Sequence, residues 1–196
     1  VTGSIRLYWI PLGADGSVVR HCGGLWERLA ARRERRAPAP LYHAAMLVDD
    51  GSTTYAVELA PAWGPGSGDA GVIATGPVGL AAAGRCRWLR YEIRMTPGGT
   101  IPDLHAAVGE PVAFAATSEE IRAFLALGAE IPAATWGRDE ARAGDMWNSN
   151  SVISWLLVRA GLPAGTLTPP AGGRAPGWDA GIRVAAAAAA AERSGS

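Results

Sequence analysis

The stretch that most restricts the fold spans residues 41–60, where Asp49-Asp50-Gly51-Ser52 separates two apolar runs. Asp-Gly between such runs is a strong hairpin signal, because both residues tolerate the positive φ that tight turns demand. A two-residue turn at Asp50-Gly51 pairs Asp49 with Ser52 and, counting back, His43 with Glu58. Tyr42, Ala44, Met46 and Val48 then share one face with Thr53, Tyr55, Val57 and Leu59. His43, Ala45 and Leu47 share the other with Thr54, Ala56, Glu58 and Ala60. A one-residue slip would turn Glu58 to the apolar side, so the alternation fixes which residues face which way.

The rest of the chain supports an α+β class, a mostly antiparallel sheet with helices packed on it. Residues 5–10 read as a strand. Residues 25–35 read as a helix with Leu25, Trp26 and Leu29 on its apolar face and arginines in its last turn, where they complement the helix dipole. Arg32, Arg33, Arg35 and Arg36 are read as a solvated helix end rather than as an anion-binding patch. Residues 64–71 are rich in glycine but precede a strand-like Val72-Ile73-Ala74, and a dinucleotide fingerprint requires a helix there. Residues 87–95 alternate polar and apolar until Pro97-Gly98-Gly99. Thr117-Ser118-Glu119-Glu120 is a capping box for a helix bearing Ile121, Phe124 and Leu125, closed by Gly128. The reading is a single domain over residues 1–184, with a last strand from Trp178 to Val184, and an alanine-rich tail over 185–196.

Composition narrows the chemistry. The 196 residues carry no formal net charge, and every basic residue is arginine. A P-loop lysine and a Schiff-base lysine are excluded, and nothing suggests nucleic acid as a partner. Cys22 and Cys86 are isolated, which suits a reducing compartment. No apolar run reaches the ~18 residues of a membrane span. Val1-Thr2-Gly3-Ser4 leads into a strand without a signal-peptide pattern. The expectation is a soluble cytoplasmic protein with no membrane span, whether or not Val1 is the native start. Asp139, Glu140 and Asp145 share one loop with no nearby histidine, and His21, Cys22 and His105 lack partners at ligand spacing, so neither metal nor cofactor is expected.

One constellation could carry chemistry. A carboxylate on one nitrogen of His43 would fix the tautomer and leave the other nitrogen as a base. Residues 147–157 place Ser149 at the start of an amphipathic helix carrying Val152, Ile153, Leu156 and Leu157 and ending at Gly161-Leu162-Pro163. There unpaired backbone N–H groups can hold an oxyanion. Serine and asparagine are also the preferred N-caps, and Asn148, Ser149, Asn150 and Ser151 all compete for that task.

A histidine on an early strand, an acidic partner on the next, and a helix opened by Asn-Ser-Asn resemble the circularly permuted papain-like proteins: NlpC-type amidases, YiiX-like proteins and lecithin:retinol acyltransferase-like enzymes. The likeness covers about residues 41–60 and 145–160. It implies a permuted papain-like core, Ser149 where those families hold a cysteine nucleophile, His43 as base and Glu58 as its orienter. The chain also resembles uncharacterised bacterial families with Asn-Ser-Asn at that helix start. Three readings follow. The first is an amidase, esterase or acyltransferase acting on a peptide, acyl or cell-wall-derived substrate, with Trp147, Asn148, Asn150, Tyr91 and Trp178 as candidate substrate contacts. The second is an inactive binding module that lost its cysteine. The third is a structural or interaction domain whose polar cluster secures the helix to the sheet. A thiol beside an imidazolium ionises readily, whereas a serine must lose its proton as it attacks.

Overall fold

The computed structural model describes residues 2–14, 17–62, 71–170 and 172–195, with the side chains of residues 17–22, 60, 61 and 83 outside that description. The glycine-rich stretch 64–70 and the side chain of Cys22 therefore lie outside the described residues. Six strands, β1 (Thr2–Pro11), β2 (Tyr42–Asp49), β3 (Thr54–Pro61), β4 (Val72–Pro77), β5 (Arg90–Pro97) and β6 (Val112–Thr117), form one sheet in the order β4-β5-β3-β2-β1-β6. Every strand pairing is antiparallel. Among the described residues four α-helices accompany it: α1 (Ser17–Arg33), α2 (Ser118–Ala126), α3 (Ser149–Arg159) and α4 (Trp178–Ser194). The chain is thus of the α+β class with an antiparallel sheet. Among the described residues no helix is long and apolar enough to cross a membrane.

The β2–β3 hairpin forms with the expected faces but a different register. Asp49 pairs with Thr54 and Met46 with Val57, so the connection is the four residues 50–53. The Asp50 carboxylate sets that length by accepting from Ser52 N, Ser52 Oγ and Thr53 N at 2.7–2.8 Å, while Gly51 takes φ 87°. An Asx-type turn closed by three donors outcompetes the two-residue turn. The shift is two residues, and side chains alternate with period two, so each residue keeps its face while its cross-strand partner changes. Continuing the observed register sets Ala45, not His43, opposite Glu58.

One face of the sheet buries Leu7, Trp9, Met46, Val48, Val57, Tyr91 and Ile93 against α2, α3 and α4. Helix α3 is apolar nearly all round because it is sandwiched: Val152, Ile153, Trp155, Leu156 and Leu157 are all buried. Its outer side meets α4 at Gly181, where a Cβ would lie 2.1 Å from Ser151 O and Ser154 Oγ, so only glycine permits this approach. The opposite face holds a smaller cluster, Ile10, Ala45, Leu47, Ala56 and Ile101, covered by the segment around the 3-10 turn Leu104–Ala106 rather than by an α-helix. Helix α3, which bears Ser149, packs on the face opposite that of His43.

Two further expectations are corrected. The strand expected from Trp178 to Val184 is the first half of α4, which continues through the alanine tract and buries Ala185. Helix α1 begins well before Leu25 and turns Leu25 and Leu29 outward while burying Glu27 and Ala31. The cause is the Glu27 carboxylate, which pairs with Arg36 and accepts from Ala39 N at 2.8 Å. Capture of that carboxylate by the following loop sets the inward side of the helix. The capping box of α2 forms as read, with Thr117 Oγ1 accepting from Glu120 N and Glu120 Oε2 from Thr117 N.

Candidate functional site

The site begins where β3 leaves β2. Their ladder ends at Met46–Val57, while β1 stays paired with β2 as far as Tyr42. The backbone groups of Tyr42 and Ala44 would otherwise have no strand on that side. They are met by the N-terminus of α3 and a neighbouring loop: Asn150 Oδ1 accepts from Ala44 N at 2.6 Å, Asn150 Nδ2 donates to Tyr42 O at 3.1 Å, and Tyr42 N donates to Arg174 O at 2.8 Å. One amide side chain thus substitutes for a strand. It seats the helix start against β2 where β3 has left it.

The N-cap is Asn148. Its Oδ1 accepts from Asn150 N and Ser151 N, its Nδ2 donates to Pro176 O, and Ser151 Oγ returns the favour by accepting from Asn148 N at 3.0 Å. Ser151 Oγ also donates to Gly177 O at 2.7 Å and Ser154 Oγ to Trp178 O at 2.7 Å. Every polar side chain in this run is therefore committed to the fold except Ser149. It stands at the first helical position, half-buried, with neither its hydroxyl nor its N–H taken by a described partner. The N-cap task that competed for Ser149 in the sequence belongs to its neighbour.

Ser149 and His43 line the same cavity, of about 390 Å³, whose other walls include Leu12, Trp26, Leu41, Trp136, Met146 and Pro176. The second nitrogen of the histidine is engaged, since His43 Nε2 lies 2.8 Å from Asp103 Oδ2. Both side chains are about one-fifth exposed, at 21% and 19%. Asp103 was missed in the sequence; it is the lone acid between Glu92 and Glu110, on a loop whose Ile101 anchors in the smaller cluster. An apolar anchor two residues from an isolated acid is the only local sign of its role. Burial raises the Asp103 pKa, but the hydrogen bond and charge of His43 outweigh it and hold the carboxyl below its ordinary value.

Glu58, the expected orienter, lies in the field of both His43 and Asp103 but is not the carboxylate bonded to the ring. Burial pushes its pKa up and Asp103 adds to this; Arg94, whose guanidinium is held by Glu92 at 2.6 Å, and His43 oppose the shift. A carboxyl with a raised folded-state pKa adds stability below its unfolded value, near ~4.3, and loses it as pH rises through the folded value. Glu58→Gln should accordingly gain stability over wild type as pH is raised from about 4 to 7. Urea midpoints measured at both ends should diverge in favour of the variant; a difference that is constant with pH would contradict a desolvated Glu58. Asp103 acts in the opposite sense, adding stability above its unfolded value that is lost as pH falls through its folded one.

Three expected substrate contacts are core residues. Tyr91 is fully buried, donates to Ala134 O at 2.6 Å, packs edge-on against Trp136 and has its pKa pushed up to about 12 by burial. Trp178 donates Nε1 to Ala164 O and packs on Trp9, and Trp147 is 3% exposed. The aromatic walls are instead Trp26 and Trp136. Asn148 and Asn150 do border the cavity, with side chains occupied as above. The acidic loop before α3 staples backbone: Asp139 accepts from Ala143 and Gly144 N, Glu140 from Thr135 N and Oγ1, and Asp145 from Met146 and Gly177 N.

No family model matches the chain, and neither a curated protein nor a solved structure matches it.

Proposed function

We propose that the protein is a serine-dependent acyl-transfer enzyme, a hydrolase or acyltransferase that cleaves an ester or amide with Ser149, His43 and Asp103. The observation that carries this reading is the uncommitted Ser149 hydroxyl sharing a cavity with a histidine whose far nitrogen is held by a carboxylate. In this reading Asp103 takes the role first given to Glu58. The order of histidine strand and serine-bearing helix resembles that of the permuted papain-like proteins, and this likeness supports the reading.

The chemistry follows from the groups. With Nε2–H donated to Asp103, Nδ1 is the basic nitrogen. It takes the Ser149 proton as Oγ bonds to the substrate carbonyl carbon, and the oxygen gains the displaced electron pair. The Ser149 N–H and the positive end of the α3 dipole lie at the helix start, where that oxyanion develops. The imidazolium then gives its proton to the leaving alcohol or amine as the carbon–heteroatom bond breaks, and water or an acceptor hydroxyl or amine repeats the cycle on the acyl-enzyme. Asp103 stays ionised and stabilises the imidazolium.

A fluorophosphonate probe tests this on wild type, Ser149→Ala, Ser149→Cys and His43→Ala. The expected result is labelling that is lost in Ser149→Ala and falls by about 10²–10⁴-fold in rate in His43→Ala. Absence of labelling in folded wild type overturns the reading. Ester or amide turnover seen only in Ser149→Cys would favour a binding module on the same cavity, a reading motivated by serine standing where the resembling families hold a thiol.

A further inference from the structure

We infer that the group bound beside Ser149 is an uncharged apolar acyl chain, and that helix α1, through Trp26, forms the wall that selects it; this rests on the acyl-transfer reading above. The cavity walls are Leu12, Trp26, Leu41, Trp136, Met146 and Pro176, and its polar residues are His43, Ser149, Tyr42 and two asparagines already committed to the fold. No aspartate, glutamate or arginine lines it among the described residues. A peptide or cell-wall fragment would bring ammonium and carboxylate groups that need partners once desolvated, and among the described residues the walls offer only His43. A hydrocarbon chain needs only apolar surface, and the volume falls in the ~300–1,000 Å³ range of small-molecule sites.

A second cavity of about 250 Å³ shares Leu12, Gly23 and Leu41 with the first and is lined also by Glu27, Arg28 and Pro38, so the charged residues of this region border that cavity and not the one beside Ser149. Gly23 packs on Leu12 at the shared wall, where an added Cβ would sit 2.7 Å from Leu12 Cδ2 and push that side chain aside.

The test uses p-nitrophenyl esters from acetate to decanoate, below their micellar concentrations and normalised to hydroxide hydrolysis, with the charged succinate half-ester as control. The expected kcat/KM rises by up to about fourfold per methylene, and the half-ester falls below the uncharged ester of equal length. Trp26→Ala should lower the decanoate-to-acetate ratio at least tenfold, and Trp26→Phe should restore most of it. Binding of decanamide and acetamide to Ser149→Ala, followed by calorimetry, reads the same preference without chemistry. Fluorophosphonate labelling of Ser149 with a flat chain-length profile and no preference for decanamide would overturn this inference and leave the acyl-transfer reading standing. An unreactive Ser149 with Trp26-dependent decanamide binding would do the reverse.

Discussion

Asp103→Asn is expected to slow fluorophosphonate labelling and turnover by about 10²–10⁴-fold while leaving the fold intact. The carboxylate accepts from His43 Nε2 at 2.8 Å, which puts the ring proton on Nε2 and leaves Nδ1 as the basic nitrogen on which the proposed mechanism depends. An asparagine of the same shape can turn its NH₂ to that nitrogen instead, and the ring then carries its proton on Nδ1 and cannot act as a base. The loss should fall on kcat, because the group acts on the imidazolium of the transition state and touches no substrate. Glu58→Gln is the internal control: Glu58 feels the charge of His43 but is not its hydrogen-bond partner, so its loss should stay within about tenfold. A larger loss from Glu58→Gln than from Asp103→Asn would return the orienting role to Glu58.

That control exists because sequence and structure part at this point, and the reason is physical. Alternation along residues 42–60 reports faces, and faces survive a two-residue change of register, so Glu58 and His43 share a face in either case. Register is decided in the turn, where one aspartate side chain satisfying three donors outweighs a preference for Asp-Gly as a two-residue turn. Asp103 was illegible for another reason: it reaches His43 across 60 residues of chain by a loop contact, which leaves no period in the sequence. Residues 178–184, read as a strand, lie in the first half of α4: Trp178, Ala180, Ile182 and Val184 alternate with Asp179, Gly181 and Arg183, a strand-like period that the helix overrides. In the fold that glycine is the point where α3 and α4 touch, so the residue that argues against a helix locally is required by packing. The helix start over 148–151 was located correctly in the sequence, but which residue caps it depends on the reciprocal Asn148–Ser151 pair, and that choice frees Ser149.

The same helix start makes Asn150→Asp the most damaging expected change to both fold and site. Asn150 is 3% exposed and satisfies three backbone groups: Ala44 N at 2.6 Å, Tyr42 O at 3.1 Å and Pro176 O at 2.8 Å. Aspartate retains the acceptor for Ala44 N but faces the two carbonyl oxygens with a second oxygen in place of the amide. Tyr42 O loses its amide donor, Pro176 O keeps only that of Asn148 Nδ2, and a buried charge gains no cation, at about 1–3 kcal/mol for an unsatisfied group and more for a charged one. A total on the order of 3 kcal/mol or more is a large part of the ~5–15 kcal/mol that holds an ordinary domain together. The urea midpoint should fall with the slope unchanged, because the surface exposed on unfolding is the same. At low denaturant, where the variant is still folded, labelling of Ser149 should drop by at least about 10²-fold if the proposed Ser149–His43 transfer holds, since a helix start displaced by ~1 Å loses the alignment that transfer requires. Labelling at the wild-type rate per folded molecule would show that the amide clamp secures the helix without positioning the nucleophile.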